Sequence, residues 1–466
     1  MNSTAQLSVN ESLVALDRAH LVHPVANWRG HEQRGATVLQ SGRGAWLRDA
    51  EGRELLDAFS GLWCVNIGYG HDSVVEAAAR QMRKLPYATG YFSFSSEPAI
   101  ELAAKLVQIS PAGLNHVYLT LGGSEAVDGA VRLIVQYYNS TGRPNKKQFI
   151  AIERGYHGSS STGAGLTALP AFHRGFDLPR PEHHYIVSPY PYRNPVGNDP
   201  QAVIASSVAA LRAKVNALGA HNVAAFFCEP IQGSGGVIVP PVGWLKAMRE
   251  ACRELDILFV ADEVITGFGR TGPMFACDAE NVSPDLMTVA KGLTSGYAPM
   301  GALFISGRVY DGIADGTPDG AVVGHGATYS AHPVSAAVAL EVIRLYEEGG
   351  ILANGQRVAR HFEAGLQAML RHPLVGDARS RGLLGALELV SDKVSKAGFD
   401  PALQLHERIA KAGYDNGLIF RAFGDNILGF APALCYTPSE FEQMFERLKR
   451  TLDEVLKQRD VRRVVG

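Results

Sequence analysis

Lys291 ends an apolar run, Asp285-Leu-Met-Thr-Val-Ala-Lys-Gly292. An amine placed there is partly desolvated, which lowers its pKa and makes it a better nucleophile. Schiff-base chemistry requires that property. Two adjacent carboxylates, Asp262 and Glu263, end a second apolar run, Ile257-Leu-Phe-Val-Ala-Asp-Glu-Val264. Side chains alternate along a strand, so the two point to opposite faces and at most one meets a given ligand atom. In Leu119-Thr-Leu-Gly-Gly-Ser-Glu-Ala126 a third run passes into Gly122-Gly123, and a helix is predicted to begin at Ser124. Glycine lets backbone approach a ligand closely. A helix start offers unpaired N–H groups and the positive end of a dipole, which together bind phosphate. Each motif also has a plainer reading: a solvated strand end, a carboxylate capping the next loop, a serine-capped turn.

One cofactor accounts for all three. Pyridoxal 5′-phosphate (PLP) needs an anion site for its phosphate, a carboxylate opposite its pyridine nitrogen and a lysine for its aldehyde. Asp262 would keep the ring nitrogen protonated, so that the ring accepts electrons when a substrate Cα–H bond breaks. Lys291, freed by an incoming amine, would shuttle the proton, a role worth roughly 10²–10⁴-fold in rate.

These residues need a scaffold that delivers them to one place. Short apolar runs predict strands at His116–Leu121, Phe149–Glu153, Val223–Glu229, Ile257–Glu263, Leu286–Ala290 and Ala302–Ser306. Such runs suit strands buried on both faces. Helical patterns lie between them, including Ser124–Tyr138 and Trp244–Leu255. The alternation predicts an α/β fold with a largely parallel sheet, whose strand C-termini are the expected ligand side. The ends differ: short alternating patterns from Gly35 to Leu56, a long helical stretch from Ala337, strand-like pieces at Gly382–Val390 and Leu418–Arg421, and a helix near Ser439–Lys457. The expected division is a large domain over 76–336, with 1–75 and 337–466 combining into a smaller α+β domain.

The ordered motifs resemble the class III aminotransferases. D-E-V-x-x-G-F-G-R from Asp262 to Arg270, followed by D-L-M-x-x-A-K-G ending at Gly292, is similar to that family's signature. G-G-S-E-A at Gly122–Ala126 resembles its phosphate loop, G-Y-H-G at Gly155–Gly158 its ring-stacking segment, and H-G-A-T-Y-S-A-H-P at His325–Pro333 its interface segment. C-E-P-I-Q-G at Cys228–Gly233 matches in place and order. The resemblance implies a fold-type I PLP-transferase with a mostly parallel seven-stranded sheet, and it assigns roles. Gly123 and Ser124 would bind phosphate, and Tyr156 would stack on the ring with His157 beside it. Glu229 would join the hydrogen-bond network, Asp262 would pair with the ring nitrogen, and Val264 would pack the ring's other face. Lys291 would hold the aldehyde. Thr328 would reach the partner subunit's phosphate, making the active unit a homodimer or a tetramer built from it.

The segment S-G-L-W-C resembles that of amine and ω-amino acid:pyruvate transaminases. Trp63 would then wall an apolar substrate pocket with Val25, Tyr91 and Tyr156. Arg421, in L-I-F-R-A-F-G-D, would grip the keto acid carboxylate and swing away for an apolar amine. The implied reaction passes an amino group from an amine donor to a keto acid by a ping-pong route through pyridoxamine phosphate. Rivals on the same scaffold are 2-oxoglutarate as acceptor, a decarboxylase, racemase or aminomutase, and a non-catalytic homodimeric binding protein. Gly122, Val127 and Ala331 depart from residues common at their positions.

Bulk properties exclude other classes. Forty-four basic against 46 acidic residues leave a net charge of −2, which favours neither nucleic acid nor an anionic membrane. The five scattered cysteines contain no C-x-x-C pair, so neither a zinc site nor a disulfide framework is expected. Met1–Leu16 lacks a basic region followed by an apolar run, and no apolar stretch reaches membrane length, so a cytoplasmic protein is the expectation. G-F-G-R-T-G at Gly267–Gly272 matches a dinucleotide fingerprint in letters, but Pro273 follows where a helix is required. His183-His184 and the pair His20 and His23 lack metal-ligand spacing with nearby acids and read as loop or packing histidines, so no metal is expected. Lys146-Lys147 reads as a solvated turn, and Tyr91, Phe92 and Phe94 as core or pocket.

Overall fold

The computed structural model describes residues 9–465. Part of the stretch read for a signal, residues 1–8, and the final residue lie outside the described residues. Strands rich in branched and aromatic side chains form a seven-stranded sheet. Its order is Leu114–Thr120, Gly301–Ser306, Leu286–Val289, Leu258–Asp262, Val223–Cys228, Gln148–Ile152 and His183–Ile186. Every residue of Val223–Cys228 and Leu258–Asp262 is buried, as expected for strands covered on both faces. Pairings are parallel except for Gly301–Ser306, which runs antiparallel to both neighbours.

Six of these strands fall where the apolar runs predict them. The seventh, His183–Ile186, decides between the loop and packing readings of His183-His184 in favour of packing: both lie in a strand, His183 is buried at the sheet edge, and His184 Nε2 lies 2.6 Å from Gln148 Oε1.

The register delivers the three motifs to one end of the sheet. Asp262 pairs with Thr288, so Lys291, three residues further on, leaves the sheet beside it. Gly301 pairs with Thr120, two residues before Gly122. A Cβ on Gly301 would stand 2.6 Å from the Gly122 carbonyl oxygen, so only glycine lets that loop settle onto the sheet.

Two further sheets come from the ends of the chain. Leu39–Arg43, Trp46–Asp49 and Glu54–Asp57 form an antiparallel meander, and Leu418–Ile419 joins it in parallel, Leu418 opposite Leu56. Val375–Arg381, Leu384–Leu389, Ile427–Phe430 and Arg421–Ala422 form the other. The single strand expected over Leu418–Arg421 is thus two strands in different sheets, separated by buried Phe420. The long helical stretch is also two helices. Pro333–Glu347 starts four residues earlier than expected, with proline in its first turn, and Ile351–Met369 follows. Lys146 is not a solvated residue: it is buried, and its ammonium donates to the carbonyls of Ala220, Val223 and Asp256.

Arg270 fastens both ends of the chain to the large sheet's connections. It is fully buried. Its guanidinium donates to the carbonyls of Leu383 and Pro432 and to Asn66 Oδ1 at 2.7 Å. Arg270→Met leaves three interior acceptors without a donor and is expected to cost about 3 kcal/mol. Urea unfolding should show a lower midpoint, partly restored in Arg270→Lys. An unchanged midpoint in Arg270→Met would contradict this role.

Candidate active site

A cavity of about 120 Å³ opens at the C-terminal ends of the parallel strands. It is lined by Gly123, Ser124, Tyr156, His157, Gly158, Glu229, Asp262, Val264, Ile265, Ala290 and Lys291. Every residue expected to touch the cofactor is present except Thr328. Gly158, Ile265 and Ala290 were not singled out by sequence, although Gly158 ends the quoted G-Y-H-G.

The anion cradle begins where Gly122 leaves the strand in extended backbone and the helix Gly123–Ser140 starts without a side-chain cap. The first-turn amides therefore lack the usual capping acceptor. A Cβ at Gly123 would stand 3.0 Å from a Val264 methyl, which brings that backbone tightly against the cavity wall. Gly158 adopts a left-handed φ of 105°, and a Cβ there would fall 2.5 Å from Ser124 Oγ. The neighbouring Ser159 amide donates to that hydroxyl at 3.2 Å. Asp128, one turn along the helix, accepts from Ser160 Oγ at 2.8 Å and the Gly163 amide at 3.0 Å, so the loop is pinned over the cradle.

Asp262 and Glu263 diverge as the strand pleat requires. Glu263 turns away, accepting from the amides of Ala276 and Cys277 and from the Thr266 hydroxyl. Asp262 faces the cavity at 4% exposure, with Oδ2 2.8 Å from His157 Nδ1 and Oδ1 accepting from the Val264 amide at 3.2 Å. His157 Nδ1 carries the proton that serves this carboxylate. Burial pushes the imidazole's pKa down, but the hydrogen bond and charge of Asp262 outweigh it and hold the ring above its ordinary value. The sequence reading gave His157 only a place beside the ring; the structure makes it the group that orients Asp262.

Glu229 sits behind them, fully enclosed. Its carboxylate accepts from the Tyr156 amide and the Gly233 amide, each at 2.8 Å. Burial raises it to about 7, with the His157 charge acting in the opposite direction. Tyr156 packs edge-on against Phe172 at 5.2 Å, its ring on the cavity wall.

Lys291 opens a one-turn helix, Lys291–Leu293, with a left-handed φ of 40°. Such backbone strain in a residue with a side chain clusters at working sites. The turn is locked from behind: Tyr346 donates to the Gly292 carbonyl at 2.6 Å, and a Cβ on Gly292 would strike Asn66 and Phe268. Burial lowers the Lys291 pKa, while the charges of Asp262 and Glu229 partly restore it.

The expected substrate residues lie further out. Trp63 is buried in an apolar cluster with Ile265, Ile427 and Phe423, one residue removed from the cavity. Arg421 is exposed, with its guanidinium 5.4 Å from the Phe423 ring, and it makes no ion pair among the described residues. Arg154, two residues before Tyr156, ion-pairs with Asp425 of the same hairpin. Val25 is 74% exposed and Tyr91 40% exposed, away from the cavity of their own chain. Tyr91 lies against Gly326, close to Thr328, whose exposed segment accepts a hydrogen bond from Tyr87 at its carbonyl.

The chemistry of this lining fits PLP: open amides for a phosphate, a buried oriented carboxylate for the pyridine nitrogen, a flat ring and a desolvated amine. The comparisons agree. The family profile described as aminotransferase class-III matches residues 29–452. The chain is 40% identical to a putrescine–pyruvate aminotransferase of Pseudomonas aeruginosa, covering 97% of this chain and 98% of the relative. It is 36% identical to a diaminobutyrate–2-oxoglutarate transaminase of Halomonas elongata, over 96% and 97% of the two chains. The solved ω-transaminase of Pseudomonas jessenii in complex with PMP superposes with a TM-score of 0.93 at 37% identity, covering 96% of this chain and 98% of that one. The fold, the cavity and these relatives together make the chain a member of the PLP-dependent class III aminotransferases.

Proposed function

We propose that this aminotransferase passes an amino group from an amine or ω-amino acid to pyruvate in two half-reactions at one site. The observation that carries the reading is the convergence of Lys291, Asp262, Tyr156 and Ser124 on one cavity. PLP, when bound, supplies the aldehyde that takes up the amino group, a ring that accepts the electrons released at the substrate carbon, and a store for the amino group between half-reactions.

The remaining work falls to the chain. The amides of Gly123 and Ser124, with the Ser124 hydroxyl, hold the phosphate. Asp262, oriented by His157, keeps a proton on the ring nitrogen. Tyr156 covers one ring face and Val264 the other, with Glu229 fixing the Tyr156 backbone. Lys291 Nζ, poorly solvated and so more often neutral, takes the proton from the substrate carbon and returns one at the end of transfer.

For the substrate we assign Trp63 as the apolar wall and Arg421 as the carboxylate grip. The path Arg421–Phe423–Trp63–Ile265 leads from the surface to the cavity, which supports this assignment. Val25, Tyr91 and Thr328 are read as serving the partner subunit in a homodimer; their exposure in the single chain supports that. Residues 76–336 are read as the large domain, with 1–75 and 337–466 as the smaller one, and the shared sheet pairing of Leu418 with Leu56 supports the union. Five free thiols support a reducing compartment, the cytoplasm. No helix among the described residues is long and apolar enough to cross a membrane.

Pyruvate is favoured as acceptor by the putrescine–pyruvate relative, and 2-oxoglutarate is the competing acceptor named by the diaminobutyrate relative. The holoenzyme with an amine should form alanine from pyruvate faster than glutamate from 2-oxoglutarate; the reverse ranking would assign the other acceptor. Lys291→Ala should lose the visible absorption band that the lysine–cofactor linkage produces and all turnover, and normal turnover would contradict the assignment. Arg421→Ala should lower kcat/KM for pyruvate by about 30–150-fold, the loss of a charge-assisted fork worth about 2–3 kcal/mol. With an apolar amine the change should stay under about threefold. Equal losses with both substrates would count against the grip.

A further inference from the structure

Asp17, His23 and His31 are far enough apart in sequence to escape a spacing rule, yet their side chains meet. This corrects the reading of His23 as a loop or packing histidine without metal-ligand spacing to a nearby acid. His23 Nε2 lies 2.7 Å from Asp17 Oδ1, and His31 Nε2 lies 2.7 Å from Asp17 Oδ2. The two imidazole rings are 4.1 Å apart, and one ligand atom from each residue falls within 4.8 Å of the others. Asp17 is in the last turns of the helix Val9–His20 and His31 in the short helix Trp28–Arg34, with His23 in the link between them. The scaffold behind the ligands is fixed. Asn27 caps the second helix through the Gly30 amide at 3.0 Å, and the Trp28 indole donates to the His23 carbonyl at 3.3 Å. The Asp17 side chain is only 11% exposed and that of His31 16%, so the carboxylate faces imidazole more than water. Asp17 forms no ion pair with lysine or arginine among the described residues.

We propose that Asp17, His23 and His31 bind a borderline divalent transition-metal ion such as Zn²⁺. Two imidazole nitrogens and one carboxylate oxygen are the donor set such ions prefer, whereas magnesium and calcium prefer all-oxygen sites. With no metal, the two Nε2 atoms share their protons with the carboxylate. On binding, each ring carries its proton on Nδ1 and turns the Nε2 lone pair to the ion, with no change in total charge on the ligands. Bonds of about 2.0–2.1 Å in a tetrahedron hold ligand atoms about 3.3 Å apart, so the two 2.7 Å contacts would open by about half an ångström while the third pair, within 4.8 Å, would adjust to the same spacing. The fourth position remains for water. The ion would clip the two helices together and fix the link 21–27 that carries Val25. Asp17 and His23 precede the segment that the family profile matches and His31 lies just within it; none of the three lines the cofactor cavity, so the proposal does not depend on the proposed reaction.

The test uses the full-length holoenzyme, stripped with a chelator and dialysed against ZnCl₂. Wild-type protein should take up one zinc per chain saturably, and Asp17→Asn and His31→Gln should each weaken uptake more than about tenfold. X-ray absorption of the zinc-loaded wild type should show imidazole nitrogen and oxygen ligands without sulfur, and this reading stands even if a variant does not fold. Absence of saturable uptake by the wild type, equal affinity in both folded variants, or sulfur in the zinc shell would each overturn the proposal.

Discussion

A carboxylate removed from water keeps its charge only where other groups replace its lost hydration. Asp262 is in that position, and the replacements are His157 Nδ1 and the Val264 amide. That requirement organises the surrounding cavity. His157 is held by its own amide, which donates to Thr167 Oγ1, and the same threonine hydroxyl donates to the Gly158 carbonyl. The loop that orients the acid is therefore also the loop that seats Ser124 and presents Tyr156. Glu229 fixes the same loop through the Tyr156 amide. Disturbing the His157–Asp262 pair would loosen the acid, the ring-stacking residue and the anion cradle together.

The same dryness acts in the opposite sense on the amine. Burial weakens the charged form of Lys291, while Asp262 and Glu229 favour it. The site thus sets a buried, hydrogen-bonded carboxyl group and an amine eased toward neutrality within one cavity, the separation of roles that proton transfer at a carbon needs. Backbone strain at Lys291 and the glycine fit at Gly292 keep that amine from relaxing out of place.

Much of the centre was legible in the sequence, because its residues follow apolar strands directly. Lys291, Asp262 and Ser124 each sit at a boundary where an apolar run stops, and the alternation of a strand correctly separated Asp262 from Glu263. Long-range pairings were not legible. His157 and Asp262 are 105 residues apart, and nothing local marks their bond. The edge strand His183–Ile186 is four residues long and begins with two histidines, so its period was invisible. Lys146 looked solvated because the three carbonyls that hold it come from segments remote in sequence. Leu418–Arg421 reads as one strand because both halves are strands; only tertiary pairing splits them between sheets. Asp17, His23 and His31 share the cause: a helix, a link and a second helix fold back, and sequence spacing does not record the return.

In the proposed reaction Lys291 is the amine that meets the cofactor's aldehyde, and everything else in the cavity is arranged around it. Reducing the holoenzyme with borohydride fixes the cofactor to whichever lysine holds it, and peptide mass spectrometry locates the mark. The expected result is a single pyridoxyl group, on Lys291. A mark on another lysine, with Lys291 unmodified, would contradict it.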